Sequence, residues 1–181
     1  MNISNAPQPA AQQQTAPWQR VLGLFQSDDG SLPDLFVRNL TRDQVVAVYE
    51  WVMSLCKASE NASAWLIKEK RNVQISALPA PAQAFVEGEI ELFRHGLVGL
   101  SIAGVELPYL TISVESIDCV SFDYRKGPEW TEPAINALLE MLARIHALAP
   151  NALIEHAEEG SSRRPTEQFA EALREFEGTR A

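Results

Sequence analysis

The sequence lacks the short motifs that mark most chemical sites. It contains no C-x-x-C pair, no glycine-rich phosphate loop, no G-x-S-x-G nucleophile motif and no histidine pair at metal-binding spacing. Its two cysteines, Cys56 and Cys119, fall in a predicted helix and at the start of a predicted strand, which favours buried, reduced thiols. We therefore predict no catalytic residue, no metal ligand and no cofactor.

Long apolar runs are also missing. No segment approaches the roughly eighteen apolar residues of a membrane span, and the first residues have neither the basic nor the apolar region of a secretory leader. We expect a cytoplasmic protein without a membrane partner.

Histidines and clustered acids are too few or too scattered to indicate a metal site. His95, His146 and His156 are far apart; His95 reads as a turn residue, and His146 as a side chain favoured by the dipole of a helix C-terminus. The acids of Asp28 to Asp34 lack the alternating ligands and terminal glutamate of a calcium loop, so this segment reads as a solvated turn.

Positive charge is scarce. Fifteen Lys and Arg residues stand against 24 Asp and Glu residues, which gives a net charge of −9 and a pI near 4.8. Such a field repels phosphate backbones, so we predict no nucleic acid partner. It favours encounter with basic proteins, although acidity also serves solubility alone.

The 181 residues fit one ordinary domain flanked by polar segments. The composition predicts a mobile N-terminal arm at 1–17, a domain at 18–154, a linker at 155–165, and a C-terminal helix and tail at 166–181. Residues 18–26 predict a short helix or strand. The C-terminal helix carries a narrow apolar stripe, Phe169, Leu173 and Phe176, which we expect to dock on the domain.

Two longer helices are predicted from apolar spacing and capping residues. Thr41 and Gln44 form a capping-box signature, and apolar residues from Val45 to Cys56 recur at helical spacing. Thr131 can cap a second helix, with Pro133 tolerated in its first turn. We expect both helices to lie on one face of a sheet.

Several segments alternate with the period of strands. They are 35–40, two short strands after Ala64, 89–94, a hairpin over 97–107, 110–114 and 120–124, with a turn predicted at Arg94 to Gly96. The fold class predicted is α+β: an antiparallel meander with two main helices on one face, plus a C-terminal helix. Trp51 and Trp65 read as core residues.

The segment D-C-V-S-F-D-Y-R-K-G-P-E-W from Asp118 to Trp130 combines a strand, a Gly-Pro corner and the start of a helix. Its mixture of aromatic and charged residues is typical of interface anchors, so we predict a partner-binding site there, formed by Asp123, Tyr124, Arg125, Glu129 and Trp130. The alternative is that Tyr124 and Trp130 complete the core while Asp123 and Arg125 lie on the solvated face of the sheet.

Three segments carry a family resemblance: L-P-D-L-F-V from Leu32, V-V-A-V-Y-E-W from Val45, and the corner itself. With the order of elements between Leu32 and Asn151, they resemble small acidic immunity proteins of bacterial polymorphic and contact-dependent toxin systems. The resemblance implies a protein that binds a toxin domain, blocks its active site and needs no catalytic residue.

Two alternatives remain open at this stage. One is a chaperone or adaptor for a secreted effector, which grips its client through the C-terminal helix. The other is an enzyme whose acidic residues converge only in the fold, for which a deep pocket lined by coupled acids or a histidine would argue. The oligomeric state is not predicted.

Overall fold

Capping and apolar spacing place the two longer helices as predicted. In the computed structural model, which describes residues 15–159 and 165–180, Thr41 Oγ1 accepts a hydrogen bond from the Gln44 amide at 3.3 Å. Gln44 Oε1 accepts from the Thr41 amide at 2.8 Å, which completes the capping box. Thr131 occupies the cap position of the other helix, although its side chain makes no capping bond.

Within the described residues the chain forms five α-helices and ten strands. The helices are α1 (Pro17–Gln26), α2 (Arg42–Met53), α3 (Pro81–Val86), α4 (Glu132–Leu148) and α5 (Glu167–Gly178). The strands are β1 (Asp34–Arg38), β2 (Lys57–Ala58), β3 (Ser63–Leu66), β4 (Arg71–Gln74), β5 (Phe93–Val98), β6 (Ser101–Ile102), β7 (Val105–Glu106), β8 (Leu110–Ser116), β9 (Cys119–Tyr124) and β10 (Leu153–Ala157).

The central sheet has six strands in the order β10-β1-β9-β8-β5-β2, and every neighbouring pair is antiparallel. Strands β3 and β4 form a separate hairpin, and so do β6 and β7. The predicted α+β class with an antiparallel sheet is confirmed. Strand β1 lies between β9 and β10, so the sheet is a simple meander only across β5, β8 and β9.

The core lies between the helices and one face of the sheet. Alternate residues of each strand enter it, among them Leu35, Phe122 and Ile112, and they join the buried faces of α2 and α4. Helix α5 also packs on this layer, because Phe169 is fully buried and Leu173 nearly so. The docking predicted for the C-terminal stripe is therefore confirmed.

Several predictions about local structure were wrong. The turn predicted at Arg94 to Gly96 and the strand predicted at 89–94 are replaced by β5, in which His95 is buried rather than in a turn. Gly96 does not adopt a positive φ, whereas Gly99, which follows the strand, has a φ of 69°. The true turn is therefore at Gly99, where a left-handed backbone is needed.

Other elements were missed or misplaced. Cys56 lies beyond the end of α2, not inside it, and Trp65 is 37% exposed on a hairpin strand instead of in the core. Helix α3 and strands β2 and β10 were not predicted; residues 155–157, assigned to a linker, belong to β10 and pair with β1. Residues 1–14 of the predicted arm and 160–164 of the predicted linker lie outside the described residues.

Candidate functional site

The corner between β9 and α4 is held from inside by aromatic packing. The Tyr124 ring stacks on Phe25 at 4.7 Å between centroids, and the Trp130 ring lies 4.9 Å from Phe25 and 5.2 Å from Tyr124. Both predicted site aromatics are buried, Tyr124 at 1% exposure and Trp130 at 0%. The structure places them in the core, as the alternative interpretation had it.

Hydrogen bonds fix the backbone of the corner. Trp130 Nε1 donates to the Arg125 carbonyl at 2.8 Å, and the Gly127 amide donates to the Phe25 carbonyl at 2.9 Å. The Glu129 carboxylate folds back over Gly127, in the space that a Cβ there would occupy. The corner is therefore a rigid joint between the sheet, α1 and α4.

A buried lysine ties the corner to two acidic segments. Lys126 is 4% exposed, and its Nζ lies 2.8 Å from Glu158 Oε2 and 3.2 Å from Asp29 Oδ2. Burial alone would lower the pKa of Lys126, but the hydrogen bonds and charges of Glu158 and Asp29 hold it above its ordinary value. Bonds from Ser31, together with Lys126, lower the pKa of Asp29 to about 2.

A buried chain of hydrogen bonds through His156 lies behind the same joint. The Tyr124 hydroxyl contacts His156 Nε2 at 2.9 Å and donates to the Leu24 carbonyl at 3.2 Å, while His156 Nδ1 contacts Thr166 Oγ1 at 2.8 Å. Burial lowers the pKa of His156 to about 4, so the ring is neutral at pH 7. These polar groups satisfy one another inside the core and join β9 to β10 and the start of α5.

The charged residues predicted for the site separate onto two surfaces. Arg125 and Glu129 are exposed on the corner, and Arg125 lies 3.4 Å from Asp28. Asp123 lies on the other face of β9, where Arg94 Nη2 donates to its Oδ1 at 3.0 Å. Burial raises the pKa of Asp123 despite this partner. The five predicted residues therefore share one strand and corner but do not form one contact patch.

The acids of Asp28 to Asp34 behave as a structured loop. Asp28 Oδ1 and Asp29 Oδ1 accept bonds from backbone amides two residues ahead, and the Leu32 amide donates to Glu159 Oε2 at 2.6 Å. Among the residues that the structure describes, no group of three His, Cys, Asp or Glu side chains is arranged to hold a metal ion. His146, in the last turn of α4, contacts Glu177 Oε1 at 2.8 Å.

A cavity of about 650 Å³ lies between α2, β2 and the segment 75–81. Its described lining includes one carboxylate, Glu50, one amine, Lys57, and the ring of Tyr49, but no histidine. The Tyr49 hydroxyl is bonded to the buried His95 Nε2 at 2.9 Å, and burial raises the pKa of Tyr49. The described lining of this cavity therefore contains neither the coupled acids nor the histidine for which the enzyme hypothesis calls.

The adaptor hypothesis depends on apolar residues of α5 that are buried against the domain. Phe169 stacks with His156 at 5.3 Å between ring centroids, and Leu173 is 5% exposed. Helix α5 would have to leave the domain before this stripe could hold a client.

Sequence reasoning missed the part of the surface that surrounds Asp123. The turn predicted at Arg94 to Gly96 places Arg94 at the end of a strand, and Tyr109, which is 61% exposed, lies between the predicted elements. The available signal was the alternation of small polar residues with apolar ones in β8, where Thr111 and Ser113 mark the outer face.

Comparisons with known proteins give one structural similarity. No family model matches the chain, and no curated protein matches it. A solved structure that is similar holds the toxic C-terminal tip of CdiA from Pseudomonas aeruginosa in complex with immune protein. The TM-score is 0.47 at 11% sequence identity, over 73% of this chain and 88% of that chain. No helix in the described ranges is long and apolar enough to cross a membrane.

Proposed function

We propose that the chain is a non-enzymatic protein-binding module, and specifically an immunity protein that binds a cognate toxin domain in the cytoplasm and neutralises it. The observation that supports this is the corner, where Arg125 and Glu129 project from a backbone that buried aromatics and Lys126 hold in place. A charged surface on a rigid backbone loses little conformational entropy when it binds. Such a site needs no reacting group.

The charge at the corner favours a basic partner. Carboxylates outnumber cations there, because Asp28 lies beside Arg125, Asp29 and Glu158 lie beside Lys126, and Glu129 adds a further exposed carboxylate. Glu129 would pair with a basic group of the toxin and Arg125 with an acidic one, whereas Asp123 lies on the other face of β9, outside this corner surface. Tyr124 and Trp130 would contribute by holding the corner in shape.

Capture with the tagged full-length chain from its source organism, followed by mass spectrometry, identifies the partner. We expect a stoichiometric protein that arrests growth when it is expressed alone and stops doing so when this chain is co-expressed. Recovery of a chain without any stoichiometric protein would contradict the proposed function.

Charge reversal tests the site itself. Asp28→Lys with Glu129→Lys should weaken the partner's binding at least about tenfold and reduce its salt dependence, since two attractive charges at the corner become repulsive. The matched control is Glu132→Lys with Glu167→Lys, which changes charge equally at exposed positions of α4 and α5. Equal affinity in the two double variants would place the interface elsewhere, and thermal unfolding checks that both fold.

A further inference from the structure

One face of the central sheet carries no described helix. On β1, β5, β8, β9 and β10 the residues that alternate with the core residues point to this second face. The buried apolar side chains there, Phe36, Cys119 and Ala157, form a small cluster of their own without any helix residue. We call this surface the helix-free face; its members are Asp34, Phe36, Arg38, Arg94, Gly96, Val98, Thr111, Ser113, Glu115, Cys119, Ser121, Asp123, Leu153, Glu155 and Ala157.

The middle of the helix-free face is low and polar. Ser113 pairs in register with Ser121 on one side and with Arg94 on the other, and Thr111 pairs with Asp123 and Gly96. These small side chains on adjacent strands form the floor of a shallow depression, and longer side chains stand around it.

An exposed tyrosine lies beside this floor. A Cβ at Gly96 would overlap the Tyr109 hydroxyl, so the absence of a side chain at Gly96 lets the tyrosine ring lie against the sheet. Tyr109 is 61% exposed and Val98 is 50% exposed. Tyrosine and arginine are the residue types that most often dominate binding energy at protein interfaces, and Arg94 is close by in the same sheet.

The helix-free face carries four carboxylates and two arginines. Arg38 is engaged on both sides, with its guanidinium 4.1 Å from the Phe36 ring centroid and its Nε 3.1 Å from Glu155 Oε2. Glu115 accepts a bond from Ser121 at 2.6 Å, and Arg94 is the cation that faces Asp123. Carboxylates therefore outnumber cations, and the Arg94 side chain that pairs with Asp123 is itself 56% exposed.

We propose that the helix-free face is a docking surface for a basic protein segment, in which a Lys or Arg of the partner replaces Arg94 at Asp123 and a neighbouring apolar side chain packs on Tyr109. This inference rests on the proposed function only in taking the partner to be a protein. Charge complementarity selects the occupant: Asp123 is partly desolvated, and an incoming cation meets a carboxylate whose burial already disfavours its ionised form. A basic group of the partner keeps Asp123 paired when docking displaces Arg94 and excludes water from the carboxylate.

Two opposite substitutions test the exchange. The probe is a synthetic twelve-residue peptide in which Lys alternates with Val, titrated into the ¹⁵N-labelled full chain at low and at moderate salt. Asp123→Asn should weaken binding roughly tenfold, whereas Arg94→Gln should strengthen it about threefold, because it removes the competing cation. The amide shifts should cluster on β5, β8 and β9, and affinity should fall with added salt.

The control variant is Glu167→Gln, which removes an equal charge from the helical layer and should leave the affinity unchanged. Shifts centred on the corner or on the helices, a weaker complex for Arg94→Gln, or no binding at low salt would each overturn the proposal. So would a dimer in sedimentation that Tyr109→Ala dissociates, since the occupant would then be a second copy of the chain.

Tyr109 can be displaced without changing any charge. Gly96→Ala should push the ring off the sheet and weaken peptide binding about as much as Tyr109→Ala, roughly three- to tenfold. If either variant bound the peptide as wild type does, the packing part of the proposal would be wrong.

The helix-free face and the proposed function can fail separately. A captured toxin that binds the Asp123→Asn and Tyr109→Ala variants as tightly as wild type would overturn the face and leave the function intact. Peptide shifts on the face in a chain that neutralises no protein would overturn the function alone.

Discussion

The two faces of the central sheet carry opposite kinds of side chain on the same strands. In β9 the inward residues Phe122 and Tyr124 are at most 1% exposed and belong to the core that the helices cover, where Tyr124 stacks on Phe25 of α1. The outward residue Asp123 meets Arg94, an exposed side chain that no helix in the described ranges covers. Substitutions on the inner face should change folding, whereas those on the outer face should change recognition.

The largest loss of stability is expected at the corner, where the inner face meets α4. Trp130 is completely buried, packs on Phe25 and Tyr124, and bonds the Arg125 carbonyl. Trp130→Ala should lower the free energy of unfolding by about 3–5 kcal/mol, since it leaves a cavity and an unpaired carbonyl. Denaturant unfolding measures this.

Glu129→Ala is the matched control for that loss, because it alters an exposed neighbour and should cost less than about 0.5 kcal/mol. Trp130→Phe should fall in between, since it keeps most of the packing but loses the bond to Arg125. Similar costs for Trp130→Ala and Glu129→Ala would mean that the aromatic joint does not hold the corner.

The next effect is a dependence of stability on pH. Burial lowers the pKa of His156 from 6.5 to about 4, so between these values the unfolded chain binds a proton that the folded chain does not. The contribution of the neutral His156 ring to the free energy of unfolding is fully present above pH 6.5. It is lost as the pH drops through this window, by about 3 kcal/mol in total. Unfolding curves at pH 7, 6, 5 and 4 test the slope.

His156→Gln should remove most of this slope while it keeps a polar group near Tyr124. Part of it should persist, because burial also lowers the pKa of His95. If the variant retained the full slope, the proton uptake would belong to other groups on the inner face.

A smaller effect is expected at Lys126, which joins the corner to the acidic loops. Lys126→Met keeps the buried aliphatic part of the side chain but removes the ammonium group that contacts Asp29 and Glu158. Both carboxylates retain solvent contact, so the cost should be about 1–2 kcal/mol and not the larger penalty of a fully buried pair. Arg125→Met, at a side chain that is 74% exposed, is the control and should be near neutral by thermal unfolding.

The inner face is the part of the fold that sequence pattern could predict. Helical spacing located α2 and α4, the capping box at Thr41 began α2 where predicted, and alternation located β8 and β9, because burial on one side imposes a period. The same logic failed for β5, since the His-Gly pair resembles a turn although His95 is buried.

The outer face depends on strand order, which local pattern does not encode. Asp123 and Arg94 meet only because β9 and β5 both flank β8, and Tyr109 reaches Gly96 only across that pairing. The predicted site residues are neighbours in sequence, so the prediction names the corner and does not name Arg94 or Tyr109, which other strands bring beside Asp123.

The smallest effect on stability, and the sharpest contrast between the faces, is expected for Asp123→Asn. Burial raises the folded pKa of Asp123 above its ordinary 3.8, so its ionisation opposes folding fully above the folded pKa, and this opposition declines as the pH falls from there towards 3.8. Replacing the carboxylate with an amide should leave stability at pH 7 unchanged or raise it by less than about 0.5 kcal/mol, because the bond to Arg94 is partly solvated. The same substitution should weaken binding of the basic peptide. A loss of stability comparable to that of Trp130→Ala would show that the outer face also carries the fold, and the separation of folding from recognition would then be wrong.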